Sequence, residues 1–245
     1  MGNTMKVSVI LPAAGLGTRM ARPTGADKSG RKQFLLLDGS PVLLHTIRKF
    51  LHCQSVSEIV VALRPDDIGW VQELIGKLQA SKPIRLVEGG DSRQSSVKNA
   101  LATLAADTDL VAVHDAVRPF VDTELVESVI AEAAKTGAAI VGVVPVDTVK
   151  QVHKHTVKAT LPREHLILTQ TPQVFAVALL REAYERAEKD EFTGTDESSL
   201  VERLERVEVS IVPGSDRNIK ITKPADLDLA RLFLKEEQAL HGVLS

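Results

Sequence analysis

The feature that most constrains the fold of this chain is a small-residue loop that directly follows an apolar, β-branched run. Residues Val7 to Leu11 form the run, and their composition predicts a buried strand. After Pro12 the loop supplies four small residues and a cation, which are Ala13, Ala14, Gly15, Gly17 and Arg19. Small side chains let a ligand approach the backbone, so N–H groups can converge on phosphate oxygens. Because open α/β sheets bind nucleotides at such strand ends, the loop predicts a nucleotide site.

Two better-known glycine motifs do not fit this loop. A P-loop requires two glycines separated by four residues, the second followed by Lys and then Ser or Thr, and the chain contains no such sequence. A dinucleotide fingerprint requires Gly or Ala three residues after Gly17, where this chain has Met20. The segment that follows carries four cations instead, which are Arg22, Lys28, Arg31 and Lys32. Clustered cations beyond such a loop favour a triphosphate ligand over a simple tight turn.

Composition bounds the class of protein. The 245 residues, of which 44% are hydrophobic, suit a single α/β domain over residues 1–245. The formal net charge of −2 supplies no global basic field, so no nucleic acid partner is expected. No apolar run reaches the roughly 18 residues of a membrane span, and no signal-peptide pattern is evident, so we expect a cytoplasmic protein with no membrane partner. The single cysteine, Cys53, excludes an intrachain disulfide and is expected to be a buried structural thiol.

Apolar β-rich segments alternate with helical patterns along the chain. We predict strands at residues 7–11, 59–63, 84–87, 110–114, 138–144 and 207–212. We predict helices near residues 41–53, 66–80, 93–105, 122–135, 175–189 and 224–239. The strands are nearly continuous apolar runs, as expected when helices cover both faces of a sheet. The pattern predicts an α/β fold with a mostly parallel sheet.

Residues 147–171 depart from this alternation. Polar and apolar residues alternate through the segment around Pro162, which predicts a protruding β-hairpin or arm. An isolated hairpin is only marginally stable in water, so we expect the arm to pack on a second copy of the chain. The segment therefore indicates a homodimer.

Glycines and a carboxylate follow two further predicted strands. Gly89 and Gly90 follow the strand at 84–87 and permit close backbone approach, while Asp91 and Ser92 can cap the next helix. Capping explains part of this pattern, but two adjacent glycines exceed what a cap requires and favour contact with a base or ribose. Both interpretations stay open at this point.

The strand at 110–114 leads into Asp115, with Arg118 three residues later. A carboxylate here suits a magnesium ligand beside a phosphate-binding cation, because Mg²⁺ binds one or two carboxylates together with phosphate oxygens. A structural Asp–Arg ion pair is the alternative interpretation. His114 has apolar neighbours and is expected to be a buried core or supporting residue rather than a metal ligand.

Two polar segments near the C-terminus complete the candidate site. Thr195 or Asp196 caps a predicted helix, and Lys220 and Thr222 alternate with isoleucines, which places both on one face of a short predicted strand. Lys220 is then a phosphate-binding cation or an edge-strand lysine that blocks aggregation. No Ser–His–Asp or Cys–His nucleophile can be identified in the sequence. The remaining features favour nucleotidyl or phosphoryl transfer, which needs positioning and charge neutralisation more than a covalent nucleophile.

Several sequence motifs appear in order along the chain. They are Pro12–Met20, Lys32–Phe34, Gly89–Val97, His114–Pro119, Thr171–Gln173, Thr195–Glu197 and Asn218–Thr222. Together they resemble the 2-C-methyl-D-erythritol 4-phosphate cytidylyltransferase family of the non-mevalonate isoprenoid pathway. The resemblance implies Rossmann-like subunits that dimerise through the arm, with CTP and a polyol phosphate as substrates. It also implies that the methylerythritol phosphate oxygen attacks the α-phosphorus of CTP and that pyrophosphate leaves.

The resemblance also implies roles for individual residues. The implied catalytic residues are Arg19, Lys32 and Lys220. The implied nucleotide-binding residues are Ala13, Ala14, Gly15, Gly17, Gly90, Asp91 and Ser96. The implied acceptor-binding residues are Arg118, Thr148, Thr171, Thr195 and Thr222, with Arg163 supplied by the other subunit. The implied ligand of Mg²⁺, or of another divalent cation, is Asp115.

The sequence leaves alternatives open. The loop before Lys32 is longer than the family pattern, so Lys28 is a second candidate for the catalytic cation. Ribitol-5-phosphate cytidylyltransferases have similar motifs, which makes ribitol phosphate the alternative acceptor. A non-catalytic nucleotide-binding module on the same fold is a further alternative, although Arg19 and Lys32 together exceed what binding alone requires. An NAD-dependent oxidoreductase is disfavoured, because the second predicted strand is followed by Arg64 rather than by an acidic residue.

Overall fold

A seven-stranded sheet forms the centre of the molecule. The computed structural model describes residues 5–15 and 31–243. In these residues the strands are β1 (Val7–Pro12), β2 (Leu36–Leu37), β3 (Ser40–Pro41), β4 (Val56–Leu63), β5 (Ile84–Glu88), β6 (Leu110–Val113), β7 (Ala138–Val143), β8 (Val149–His153), β9 (Thr156–Leu161), β10 (Leu168–Ala176) and β11 (Ser210–Pro213). The main sheet has the order β11-β7-β10-β6-β1-β4-β5. All its pairings are parallel except those of β10 with β6 and β7, which confirms the expected mostly parallel sheet.

Helices cover both faces of this sheet, as expected. They are α1 (Val42–His52), α2 (Pro65–Gly76), α3 (Arg93–Ala102), α4 (Thr123–Thr136), α5 (Val177–Lys189), α6 (Ser198–Glu202) and α7 (Pro224–Val243). Successive side chains of β1 point to opposite faces. Val9 and Leu11 pack in the apolar core with α1, α2 and α4, whereas Ile10 packs with α3, α5 and α6. None of the helices in the described part of the chain is long and apolar enough to cross a membrane.

Local sequence accounts for several of the helix ends. The Ser92 hydroxyl accepts a hydrogen bond from the Ser95 amide at 3.0 Å, and the Ser95 hydroxyl accepts one from the Ser92 amide, so a capping box begins α3. The Asp122 carboxylate caps α4 by accepting the Glu124 amide at 2.9 Å. Gly137 ends α4 in a left-handed conformation with φ of 85°, which glycine adopts without steric cost.

The arm predicted for residues 147–171 is shorter than expected. Strands β8 and β9 form an exposed antiparallel hairpin, which confirms the hairpin itself. Residues 168–176, however, form β10 in the middle of the main sheet rather than part of the arm. The prediction failed there because Pro172 lacks an amide donor and normally excludes a central strand. The structure accommodates it where the pairing of β10 with β7 shifts register, between Gln170 and Gln173.

The C-terminal region packs over one end of the sheet through a third apolar cluster, which joins α7 to the loop after β6. Ile221 lies in this cluster, and its amide donates to the Val117 carbonyl at 2.9 Å. The short strand expected around Lys220 and Thr222 does not form, because this backbone pairs with the loop rather than with a strand. The expected alternation still holds, since Ile221 is buried while Lys220 reaches a cavity.

Candidate active site

The carboxyl ends of β1, β4, β5 and β6 border a cleft of about 510 Å³. Parallel neighbouring strands end at the same edge of a sheet, so loops far apart in sequence meet there. The cleft brings together eight of the predicted site residues, which are Ala13, Ala14, Gly15, Lys32, Gly90, Asp91, Asp115 and Lys220. Gly17, Arg19 and the alternative cation Lys28 lie outside the described residues.

The loop after β1 is held in place by a buried glutamine. The Gln33 side-chain amide donates to the carbonyl oxygens of Ala13 at 2.8 Å and Gly15 at 3.0 Å. The Ala13 amide donates to the Ala62 carbonyl at 2.8 Å, which ties the same loop to β4. Gln33 follows Lys32 in a short 3₁₀ turn, so the contacts that fix the loop also bring Lys32 to the cleft. This role of Gln33 was not predicted from the sequence.

The two adjacent glycines after β5 are explained by close packing, of Gly89 against the loop after β1 and of Gly90 against the first turn of α3. A Cβ atom on Gly89 would lie 2.5 Å from the Ala14 Cβ, and one on Gly90 would lie 2.3 Å from the Ser95 hydroxyl. Ser96 is buried, and its hydroxyl accepts the Gly90 amide at 3.0 Å and donates to the Ser92 carbonyl at 2.7 Å. Ser96 therefore stabilises the turn through hydrogen bonds without lining the cleft, whereas Gly90 and Asp91 line it.

Asp115 lies at the centre of a cluster of cations. Its carboxylate is 2.7 Å from the Lys220 ammonium, 3.1 Å from the Arg93 Nε and 3.7 Å from the Arg118 Nε. Burial raises the pKa of Asp115, but the charges of Arg93, Lys220 and Arg118 outweigh burial and hold the pKa below its usual range. The Asp–Arg ion pair considered as an alternative is thus present, and it extends to a second arginine and a lysine.

A network of hydrogen bonds from α5, β10 and the start of α6 reaches this cluster, and it was not predicted from the sequence. The Arg93 Nη1 donates to both Glu197 carboxylate oxygens at 2.8 and 2.9 Å. The Tyr184 hydroxyl donates to the same carboxylate at 3.0 Å, and the Gln173 side-chain oxygen accepts the Glu197 amide at 3.0 Å. The neighbouring Asp196 side-chain oxygen accepts the Ser199 amide at 3.1 Å, in agreement with its expected capping role. The position of Glu197 directly after this cap was the one feature of the sequence that could have indicated the network.

A second cavity of about 250 Å³ adjoins the first and shares Arg93, Asp115 and Lys220 with it. Three predicted acceptor-binding residues line this cavity, which are Arg118, Thr171 and Thr195. The Arg118 Nη1 donates to the Asn218 carbonyl at 2.6 Å, and the Thr171 hydroxyl accepts the Asp115 amide at 3.1 Å. The cavity thus joins the loop after β6, strand β10 and the C-terminal segment.

Besides Ser96, three further predicted residues in the described part of the chain line neither cavity. Thr148 is exposed just before β8, and Arg163 is exposed after β9, where it donates to the Val146 carbonyl. The Thr222 hydroxyl donates to the Lys220 carbonyl at 3.1 Å, and its amide donates to Asp226 at 2.7 Å. Within one chain, Thr148 and Arg163 are therefore arm residues, and Thr222 supports the segment that carries Lys220.

Two residues are confirmed as parts of the core. His114 is fully buried, and desolvation lowers its pKa to about 4, so the ring is neutral near pH 7. Its ring nitrogens lie 3.1 Å from the Arg118 carbonyl and 3.1 Å from the Thr171 hydroxyl. Burial raises the pKa of the Cys53 thiol to about 12, which makes it unreactive.

Comparison with known proteins identifies the family. A profile of 2-C-methyl-D-erythritol 4-phosphate cytidylyltransferase matches residues 7–236. The chain belongs to this family. The enzyme of that name from Solibacter usitatus is 61% identical over 96% of this chain and 98% of its own length. The one from Acidobacterium capsulatum is 49% identical over 96% of this chain and all of its own.

Solved structures of this cytidylyltransferase family agree with the fold. The 4-diphosphocytidyl-2C-methyl-D-erythritol synthase of Anaerococcus prevotii superposes with a TM-score of 0.83, at 31% identity over 95% of this chain and all of its own. The 2-C-methyl-D-erythritol 4-phosphate cytidylyltransferase of Thermus thermophilus superposes with a TM-score of 0.75, at 34% identity over 94% of this chain and all of its own. The expected fold, family and nucleotidyltransferase class are confirmed.

The acidic groups in the described part of the chain do not form a complete metal site by themselves. In the described ranges 5–15 and 31–243, no three His, Cys, Asp or Glu side chains are grouped to hold a metal ion. A single carboxylate is nevertheless a suitable donor set for Mg²⁺ when phosphate oxygens and water complete the coordination. Asp115, which is common to both cavities, meets that description.

Proposed function

We propose that this chain transfers the cytidylyl group of CTP to 2-C-methyl-D-erythritol 4-phosphate in the paired cavities, releasing pyrophosphate for isoprenoid synthesis. One observation carries the proposal, which is that Asp115 and Lys220 lie in the walls of both cavities. Two substrates bound side by side could therefore meet at one cluster of charges. Positioning and charge neutralisation are the main requirements of transfer at phosphorus.

The larger cavity is proposed to hold CTP. The described backbone of the loop after β1 approaches it closely, and Gly90 and Asp91 face it from β5 for contact with the base or ribose. Lys32 and Lys220 are the cations proposed to neutralise the negative charge that grows at the α-phosphorus in the transition state. Arg19 is proposed for the same role by resemblance to the family.

The smaller cavity is proposed to hold the acceptor. Arg118 suits a polyol phosphate because its planar guanidinium can donate two parallel hydrogen bonds. Thr171 and Thr195 offer hydroxyl groups to the polyol from β10 and from the segment before α6. Thr222 is proposed to act through the Lys220 carbonyl to which it is bonded.

The acceptor is tested by measuring pyrophosphate release from CTP with each polyol phosphate. We expect turnover with 2-C-methyl-D-erythritol 4-phosphate and much weaker turnover with ribitol 5-phosphate. The same assay with UTP in place of CTP checks the choice of base. Preference for ribitol 5-phosphate would reassign the acceptor, and tight CTP binding without turnover on either acceptor would support the non-catalytic alternative.

We also propose that Asp115 holds Mg²⁺, or another divalent cation, together with the phosphate oxygens of CTP. Each carboxylate oxygen has two lone pairs, so contacts with Arg93 and Lys220 leave room for a metal bond. When bound, Mg²⁺ supplies positive charge against the triphosphate. The protein contributes the orientation of the carboxylate, which its cation partners Arg93 and Lys220 maintain.

The metal proposal is tested with Asp115→Asn. The concentration of Mg²⁺ that supports half-maximal activity should rise by about tenfold or more, because an amide oxygen is a weaker ligand than a carboxylate. Asp107→Asn is the matched control, since Asp107 is an exposed carboxylate paired with Lys6. An unaltered magnesium titration in Asp115→Asn would reduce Asp115 to an ion-pair partner.

The hairpin of β8 and β9 is proposed to join two copies of the chain. Val152 and Val157 face each other across the two strands and are 63% and 56% exposed, although both are apolar. Burial of such a pair against another subunit is favourable, and an isolated hairpin is not stable by itself. Thr148 and Arg163 flank the hairpin, so they are proposed to reach the cavity of the second copy.

Subunit complementation tests this arrangement. Arg163→Ala and Lys32→Ala proteins are expected to be inactive alone and to regain up to about a quarter of wild-type activity when mixed, because half of the random dimers each restore one of two sites. Lys32→Ala remixed with itself is the control. No regain after verified subunit exchange would show that each chain carries a self-contained site.

We infer a reducing, cytoplasmic location. Support comes from the cysteine content, since Cys53 is the single cysteine, and it is buried without a disulfide. Fractionation of cells that express the chain at its native level would test the location, and recovery outside the cytoplasm would contradict it.

A further inference from the structure

Arg93 occupies an unusual place in the paired cavities, because its side chain lines both of them. Its Nε donates to Asp115 at 3.1 Å, and its Nη1 donates to both oxygens of Glu197. Its Nη2 makes no hydrogen bond to any residue in ranges 5–15 and 31–243. The side chain is 30% exposed and lines both cavities, and Nη2 carries two N–H donors.

Glu197 holds Arg93 from a position that no substrate reaches. Its side chain is only 1% exposed, and it lies at the N-terminus of α6. The Tyr184 hydroxyl donates to this carboxylate at 3.0 Å, while the Gln173 side-chain oxygen accepts the amides of Glu197 and Ser198. Tyr184 on α5 thus holds the carboxylate directly, and Gln173 on β10 holds the backbone that carries it.

The rigid geometry of the guanidinium group fixes the direction in which its unanchored nitrogen points. The group is planar and its five N–H donors have fixed directions, so two anchored nitrogens determine where the third one points. Asp115 and Glu197 hold Nε and Nη1, which leaves Nη2 as the donor for a ligand. An ammonium group at this position would be able to rotate and would have no such fixed direction.

We propose that Arg93 is a further substrate-binding residue, which donates from Nη2 to an anionic phosphate oxygen where the two cavities meet, and that Glu197 is its positioning residue. The proposal rests on the proposed function, because a phosphate ligand is expected there only if CTP and a polyol phosphate bind. The oxygen belongs to the triphosphate or to the acceptor phosphate. Charge-assisted bonds between guanidinium and phosphate are among the stronger hydrogen bonds in proteins.

Steady-state kinetics of Arg93→Ala, Arg93→Lys and Glu197→Gln test the assignment. Arg93→Ala should raise the KM of one substrate by about tenfold or more, the loss expected when a charge-assisted hydrogen bond to a ligand is removed. Whether the KM of CTP or that of the polyol phosphate rises identifies the phosphate. Glu197→Gln should raise the same KM by a smaller factor while changing kcat less, because Arg93 is retained but held loosely.

Chemical rescue separates binding from a structural role. Added methylguanidinium should restore activity to Arg93→Ala but not to Glu197→Gln, in which the guanidinium is still present. Arg85→Ala and Glu58→Gln are matched controls, because Arg85 on β5 and Glu58 on β4 also form an Arg–Glu ion pair. Its atoms are 2.9 Å apart, and the pair lies outside both cavities. Both controls should retain the kinetics of the wild type.

The outcomes separate this proposal from the proposed function. If the wild type releases pyrophosphate but Arg93→Ala and Arg93→Lys keep both KM values within about twofold, only the Arg93 assignment is overturned. Equal loss for both substrates without rescue by methylguanidinium would likewise overturn it in favour of a structural role. If Arg93→Ala does not fold, Arg93→Lys carries the test, because lysine keeps the charge but not the fixed fork. A wild type without turnover would instead contradict the proposed function.

Discussion

The larger cavity has in its wall a stretch of backbone with small side chains, here called the backbone wall, beside several charged groups. The smaller cavity is lined by charged and polar side chains alone, here called the side-chain wall. Ala13 to Gly15 and Gly90 belong to the first wall, and hydrogen bonds with the side chains of Gln33 and Ser96 hold their backbone in place. Arg118 and Thr171 belong to the second wall, where they are hydrogen-bonded to the backbone of Asn218 and Asp115 on other elements. The two walls meet at Asp115 and Lys220.

This difference suits the two tasks proposed for the site. A backbone wall binds phosphates and a base through groups that no substitution removes, so its shape depends on glycine and on packing. A side-chain wall can be tuned to a particular acceptor, but each buried charge must be paired to offset its desolvation. We therefore expect changes in the first wall to act through shape and changes in the second wall to act through charge.

The largest effect is expected where a charge acts inside the backbone wall. Lys32→Ala should lower kcat by about 100-fold or more, which corresponds to about 2.7 kcal/mol, while the affinity for CTP changes much less. The reason is that charge felt mainly in the transition state contributes little to ground-state binding. Rapid-quench kinetics and CTP titration check both quantities.

Lys28→Ala is the control for this prediction, since Lys28 is the alternative cation in the same lengthened loop. Its turnover should stay close to that of the wild type. If Lys28→Ala rather than Lys32→Ala lost turnover, the catalytic role would pass to Lys28.

An intermediate effect is expected from a change of shape in the backbone wall. In Gly89→Ala the new Cβ would lie 2.5 Å from the Ala14 Cβ, so the two loops must move apart. The KM of CTP should rise by about tenfold, or about 1.4 kcal/mol, with the KM of the acceptor nearly unchanged. Gly76→Ala is the matched control, because a Cβ there meets no atom within 4 Å. Equal increases in both KM values would contradict the division between the walls.

The smallest effect concerns the side-chain wall and pH. His114 lies beneath this wall, and its pKa is about 4 in the folded protein compared with 6.5 for an unperturbed histidine. The unfolded state binds more protons between these values, so stability is full above the unfolded pKa and is lost as pH falls towards 4. As the pH falls from about 7 to about 5.5, protonation of this histidine in the unfolded state should lower the free energy of unfolding by about 1 kcal/mol.

Urea unfolding of the wild type and of His114→Gln measures this contribution. The variant is expected to be less stable at neutral pH, because the contacts with Arg118 and Thr171 change. Its stability should nevertheless depend less steeply on pH in this range than that of the wild type. Parallel pH profiles for the two proteins would show that His114 does not titrate on unfolding.

Local patterns made the backbone wall predictable. The apolar run before Ala13, the glycines at 89 and 90, and the Ser92 cap each lie within a few residues of the structure that they specify. Strand β10 was missed because Pro172 and its polar neighbours are typical of a loop, and their partners lie on β6 and β7. Glu197 was missed as a partner of Arg93 because the two residues are separated by 104 positions in sequence.

The sequence by itself determined the alternation of strands and helices, the loop after the first strand and the family to which its motifs point. Those features depend on side-chain periodicity, on glycine and proline geometry, and on helix caps, all of which act over short stretches of chain. Only the tertiary structure decided which charges pair, that β10 enters the sheet antiparallel, and that Asp115 lies between two cavities. The physical reason is that pairing of buried charges depends on distance in space, which sequence spacing does not report.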